Sequence, residues 1–120
     1  MKLTTNLALG LHRAALAEAL AFAGALGLDL DLALTVLRES SSYSRVMDVK
    51  GHKMLRRDYT PQARLSQHLK DVRLLLEAGA AAGLELPLSD LHRRLLERAE
   101  AAGLGGLDNS AIMEVFRKAP

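Results

Sequence analysis

Residues 2–28 read KLTTNLALGLHRAALAEALAFAGALGL, twenty-seven positions without a proline and dominated by Leu and Ala. Only Gly10 and Gly24 lower the helical propensity before Gly27, so the stretch predicts one long helix. Its apolar residues do not keep to one stripe. Leu3, Leu7 and Leu11 drift round one side, while Leu9, Leu16 and Leu20 lie on the other. A helix that is apolar over most of its circumference needs cover over most of it, which points to burial in the domain centre and against a partner subunit.

Outward from that helix the chain is punctuated at regular intervals. Gly27 and Asp29 form a stop and restart, Gly as C-cap and Asp as acceptor for the free N–H groups of a second helix through Leu32, Val36 and Leu37. Ser40, Ser41 and Ser42 make a turn, followed by a short helical segment with Val46, Met47, Val49 and Met54, interrupted by Gly51. Tyr59-Thr60-Pro61 breaks the chain again, since proline disfavours the helical region in the residue before it. Leu65, Leu69, Val72 and Leu76 then fall at i, i+4, i+7 and i+11, the spacing of a buried helix face. After Gly83 and Pro87, Ser89 or Asp90 is expected to cap a fifth helix with Leu91, Leu95 and Leu96. Gly103 to Gly106 ends it, and Asp108 caps a last helix with Ile112, Val115 and Phe116. No strand signal and no internal repeat interrupts the series, and the expected fold is all-α, a single domain of about six helices over residues 1–120 with a long central N-terminal helix.

Composition narrows the function. Of 120 residues 49% are hydrophobic but only 3% aromatic, and the net charge is +2. So small an excess, with Arg56-Arg57 and Arg93-Arg94 lacking aromatic neighbours, argues against nucleic acid. The absence of cysteine removes disulfides, thiol nucleophiles and thiolate metal sites and permits a reducing compartment, and a cytoplasmic location is expected. Asn6, His12, Arg13 and Glu18 interrupt the apolar run that a signal peptide or membrane span needs. His12, His52, His68 and His92 are too far apart for a local ligand pair, so no metal site is expected and each reads as a satisfied or solvated histidine. The serine cluster has no nucleophile elbow, and no glycine-rich phosphate loop is present.

Lys2 and Asn6 stand four apart on the first helix, so their side chains project from neighbouring turns of one face. A lysine in a partly desolvated cleft can exchange a proton with a substrate hydroxyl, and an amide can orient that substrate. Lys and Asn at a helix start are more often merely solvated, and spacing alone does not decide between the two.

The chain nevertheless resembles the C-terminal domain of the β-hydroxyacid dehydrogenases, the group that includes 3-hydroxyisobutyrate dehydrogenase and tartronate semialdehyde reductase. Lys2-Leu3-x-x-Asn6, Ala17-Glu18-Ala19-Leu20 with Gly27-Leu28-Asp29, and Met54-Leu55 with Asp58-Tyr59 are similar to successive elements of that family. Leu69-Lys70-Asp71-Val72, Gly83 with Leu86-Pro87, and Asp108-Asn109-Ser110-Ala111 follow in the family's order, so the likeness spans the whole chain. It implies a domain like the C-terminal one of 6-phosphogluconate dehydrogenase, with Lys2 as general acid/base, Asn6 orienting substrate, Lys70 reaching the cofactor and Asp71 supporting that helix. It further implies hydride transfer between NAD or NADP and a small hydroxyacid or semialdehyde in a longer parent, and a homo-oligomer, dimer or higher, through the long helix. This domain alone is expected to bind no cofactor, because the nucleotide-binding Rossmann domain precedes the lysine in the family and no GxGxxG occurs here. Where the family often has an aromatic residue shortly after Pro61, this chain has Ala63 and Arg64, which implies a differently shaped substrate site. The alternative is a helical oligomerisation module without catalysis of its own.

Overall fold

A computed structural model describes residues 1–117. It contains α1 (Lys2–Ala25), α2 (Leu30–Glu39), α3 (Val46–Arg56), α4 (Leu65–Ala81) and α5 (Pro87–Ala101), then a 3-10 turn (Asn109–Ile112) running into the short α6 (Met113–Phe116). No strand is present among the described residues, and the fold is all-α as the sequence predicts. α1 lies in the centre and touches every other element. It is also the one helix among the described residues long and apolar enough, by composition, to cross a membrane. Here that length serves as the common packing surface of the domain.

α1 is nonetheless less evenly covered than its sequence predicts. Gly10, Arg13, Leu16, Ala17, Leu20 and Ala23 form its buried stripe, Leu7 and Leu11 are half-buried, and Leu3, Leu9 and Phe22 stay exposed. The helix ends at Ala25, short of Leu28, because Gly27 takes a positive φ of 77° and turns the chain back. The amides of Gly27 and Leu28 then donate to the carbonyls of Gly24 and Ala23, closing the helix end. Asp29 caps α2 by accepting from the Leu32 amide, as expected.

α3 runs through Gly51 without a break, since that glycine faces α2. A Cβ there would stand 2.8 Å from both terminal methyls of Leu34, so the missing side chain is what lets the helices meet. α5 starts earlier than expected. Leu86 is its N-cap and Pro87 its first helical residue, where the fixed φ of proline suits a helix and its missing N–H has no intrahelical acceptor to lose. Ser89 is buried instead of capping, and Asp90 pairs with Arg93 and Arg94 on the following turn. Leu96 reaches the core while Leu91 points to solvent.

α4 and α5 form a hairpin across residues 82–86, and the face predicted for α4 is the one it buries: Leu65, Leu69 and Val72 are in the core, joined by His68 and Leu75. Four backbone hydrogen bonds lay residues 59–66 along residues 105–109, among them Asn109 N–H to the Ala63 carbonyl at 2.8 Å. This seam fixes the 3-10 turn against the start of α4, where the cleft described next is formed.

Candidate functional site

The N-terminal turns of α1 and α4 and the 3-10 turn enclose a cleft of about 220 Å³. Asn6 and Arg13 enter it from α1, Gln67 and Asp71 from α4, Arg64 from the loop before α4, and Asn109 from the 3-10 turn. Ala63 and Arg64, the residues standing where a family aromatic was expected, both line it. Asn6 and Asp71 thus share one cleft. Lys2 lies one turn beyond Asn6 at the exposed start of α1, while Lys70 is exposed on α4 and does not line the cleft. Asp71 accepts a hydrogen bond from Gln67 Nε2 at 3.3 Å, which ties its carboxylate to its own helix.

Arg13 and His68, at the floor of the cleft, and His92, packed against that floor, are residues that sequence reasoning missed. Arg13 is 9% exposed, and His68 and His92 are buried with ring centroids 5.3 Å apart. The two histidines were expected to be satisfied or solvated. Instead Nε2 of each is buried without a hydrogen-bond partner among the described residues. Burial, reinforced by the Arg13 charge, lowers His68 to about 3 and His92 to about 4, so both rings are neutral at ordinary pH. Gly10 makes the arrangement possible. A Cβ there would lie 2.6 Å from His68 Nε2 and 2.9 Å from His92 Cε1. A signal was available, since Asn6, Gly10, Arg13, Ala17 and Leu20 share one helical stripe, and a charged residue on a core stripe asks for an explanation.

Behind the floor, Asp108 is fully buried and binds Lys50 Nζ at 3.0 Å through both oxygens. It also accepts from the amides of Gln62, Ala63 and Ser110 and from the Ser110 hydroxyl. Burial alone would raise its pKa, but the hydrogen bonds from Ser110, Gln62 and Lys50 outweigh it and hold the carboxyl far below its usual range. Its capping role was legible as Asp-x-Ser. The ion pair joins residues 58 apart and was not.

Among the described residues no group of His, Asp and Glu side chains is placed to hold a metal ion. The cleft is smaller than the roughly 300–1,000 Å³ that drug-sized ligands occupy, so it suits a small acid or one end of a dinucleotide. Its amides, its cations and the buried Asn109 Oδ1, without a hydrogen-bond partner among the described residues, fit a carboxylate, a hydroxyl or a carboxamide. No glycine-rich loop accompanies them to take a pyrophosphate. Four larger depressions, among them one against Phe116 and one beside Leu84, contain none of Lys2, Asn6, Lys70 or Asp71.

A family model described as NAD-binding of NADP-dependent 3-hydroxyisobutyrate dehydrogenase matches residues 1–116. The chain belongs to this family. An L-threonate dehydrogenase of Cupriavidus necator is 32% identical to this dehydrogenase-family domain over 97% of the chain and 39% of that protein. A 2-hydroxy-3-oxopropionate reductase of Escherichia coli K12 is 30% identical over 96% of the chain and 39% of that protein. The crystal structure of a 3-hydroxyisobutyrate dehydrogenase from Salmonella typhimurium superimposes with a TM-score of 0.91 at 30% identity, covering 95% of this chain and 40% of that one. The chain therefore spans about two fifths of the relatives it matches, with the fold that the resemblance implied.

Proposed function

We propose that this domain forms one wall of the active site of an NAD(P)-dependent dehydrogenase that interconverts a small hydroxyacid and its carbonyl form. The observation that carries the proposal is that Asn6, one turn from Lys2, opens on a cleft whose opposite wall is Asp71 of the Lys70-Asp71 pair. In oxidation the Lys2 amine takes the proton of the substrate hydroxyl, and in reduction its ammonium returns that proton to the carbonyl oxygen. Asn6 holds the same oxygen through its amide. Asp71, held against its own helix by Gln67, supports the cleft-facing side of α4, and Lys70 on the outer side of that helix reaches the cofactor. Bound NAD or NADP, carried chiefly by a dinucleotide-binding domain of the parent, supplies the hydride acceptor or donor. The site of action is the cytoplasm.

Lys2→Ala, made in a polypeptide that carries both domains, is expected to lower kcat by roughly 10²–10⁴-fold, the usual worth of a positioned general acid/base. The state of association and the KM for the dinucleotide stay unchanged. A kcat within a few-fold of the parent removes Lys2 from the chemistry.

A second reading, a homo-oligomerisation module, has its own support. Phe22, Leu26 and Leu28 at the end of α1 and Leu32 and Val36 on α2 are all more than half exposed. They flank an apolar groove of about 380 Å³ between the two helices, and contiguous apolar surface of this kind marks an interaction site. Catalysis in the cleft and association through α1 are compatible, because the two surfaces occupy opposite ends of the helix.

A further inference from the structure

We infer that Arg13 is an anchor for the carboxylate of a small acid at the floor of the α1–α4 cleft. The inference rests on the dehydrogenase reading for the identity of the acid, though the anion site itself does not. Arg13 lines the cleft, is nine-tenths buried, and its Nε and Nη1 atoms have no hydrogen-bond partner among the described residues. A buried cation without a hydrogen-bonded partner is costly to keep, so a protein that holds one at the floor of a cleft has it poised for an anion.

The surroundings leave that charge available. Asp108 attracts the Arg13 charge, but it is bonded to Lys50, the Gln62, Ala63 and Ser110 amides and the Ser110 hydroxyl and forms no salt bridge with Arg13, so one buried aspartate faces two cations. His68 and His92, beside it, are neutral and contribute no counter-charge. Arg64 adds a second cation to the lining, and Asp71 is the one carboxylate that opposes an incoming anion. The half-buried Asp71 is bonded to Gln67, and two arginines against one aspartate leave the cleft net positive.

Geometry then orients the ligand. Arg13 stands seven residues, about 10 Å, along α1 from Asn6 on the same face. Both residues line the cleft, Arg13 at its floor beside His68 and Asn6 nearer its mouth. A guanidinium fork meets a carboxylate through two parallel hydrogen bonds. An acid seated there has its carboxylate at the floor and the rest of its carbon chain directed along the cleft toward Asn6.

The first test is thermal unfolding of the chain in malonate against chloride at matched ionic strength. A saturable rise in Tm with malonate is expected for the wild type, and only a shallow, unsaturable one for Arg13→Met. Equal responses in both overturn the assignment. Arg13→Met should fold, since it removes a buried charge without a hydrogen-bonded partner; Arg13→Lys, which keeps the charge and loses the fork, is the second variant and should lose most of the response. In a polypeptide with both domains, Arg13→Met should raise KM for the hydroxyacid roughly tenfold or more and leave KM for the dinucleotide unchanged. If no hydride transfer is found and malonate still depends on Arg13, the dehydrogenase assignment fails and the anion site stands. If transfer proceeds and neither malonate nor KM responds to Arg13, the anchor is overturned alone.

Discussion

Gly10 sits where two imidazole rings press against the helix that carries it. By propensity alone, Gly10→Ala should stabilise α1 by about 1 kcal/mol. The added methyl would instead meet His68 and His92 inside van der Waals distance, and both rings are confined by burial. The net expectation is a loss of about 1–3 kcal/mol, the cost of overpacking a closed site, read as a lower midpoint in urea unfolding. An unchanged or raised midpoint would mean that the rings move aside freely. At this scale the sequence was partly legible. Asp29 and Asp108 could be recognised as caps because a cap is a local device, whereas the meetings of His68 with His92 and Lys50 with Asp108 are made by tertiary packing and carry no local signal. Arg13 was visible on the stripe but was read only as a break in an apolar run.

Among the elements, the helices that follow a single physical rule are the ones the sequence placed well. α4 was fixed by one clean buried stripe, and α2 by its aspartate cap. The start of α5 was misplaced because Pro87, Ser89 and Asp90 are all acceptable near a helix start, and only burial of Ser89 decides among them. The exposed apolar end of α1 and its neighbour α2 provide the element-scale prediction. If this face joins copies of the chain, Phe22→Glu combined with Leu32→Lys will shift the species seen by sedimentation velocity toward monomer, with the helical far-UV signal unchanged. A monomeric wild type at high concentration would show instead that these residues serve another surface.

For the whole molecule, the two buried neutral histidines set the response to acid. The unfolded chain protonates them near pH 6.5, while the folded domain resists until about pH 4 for His92 and about 3 for His68. Their contribution is therefore complete above pH 6.5 and is lost as the pH falls through that window. Each histidine costs about 1.4 kcal/mol per pH unit while only the unfolded form is protonated. Asp108 is shifted in the same direction but adds nothing to the loss in that window, because its stabilisation is lost only below the ordinary aspartate value of 3.8. Urea unfolding at pH 7, 6 and 5 should show a steep decline that flattens in a His68→Leu, His92→Leu variant; equal slopes in both chains would place the acid sensitivity elsewhere.

The bond from Lys50 to Asp108 also dictates an order of events. Loops that long close slowly, because chain entropy is lost before the contact rewards it. α1 to α5 are complete by Ala101, yet Asn109, the 62–63 backbone and Lys50 have no common anchor until Asp108 arrives. On a ribosome or in a refolding tube, the expected order is the helical framework first and the cleft between α1, α4 and the 3-10 turn last.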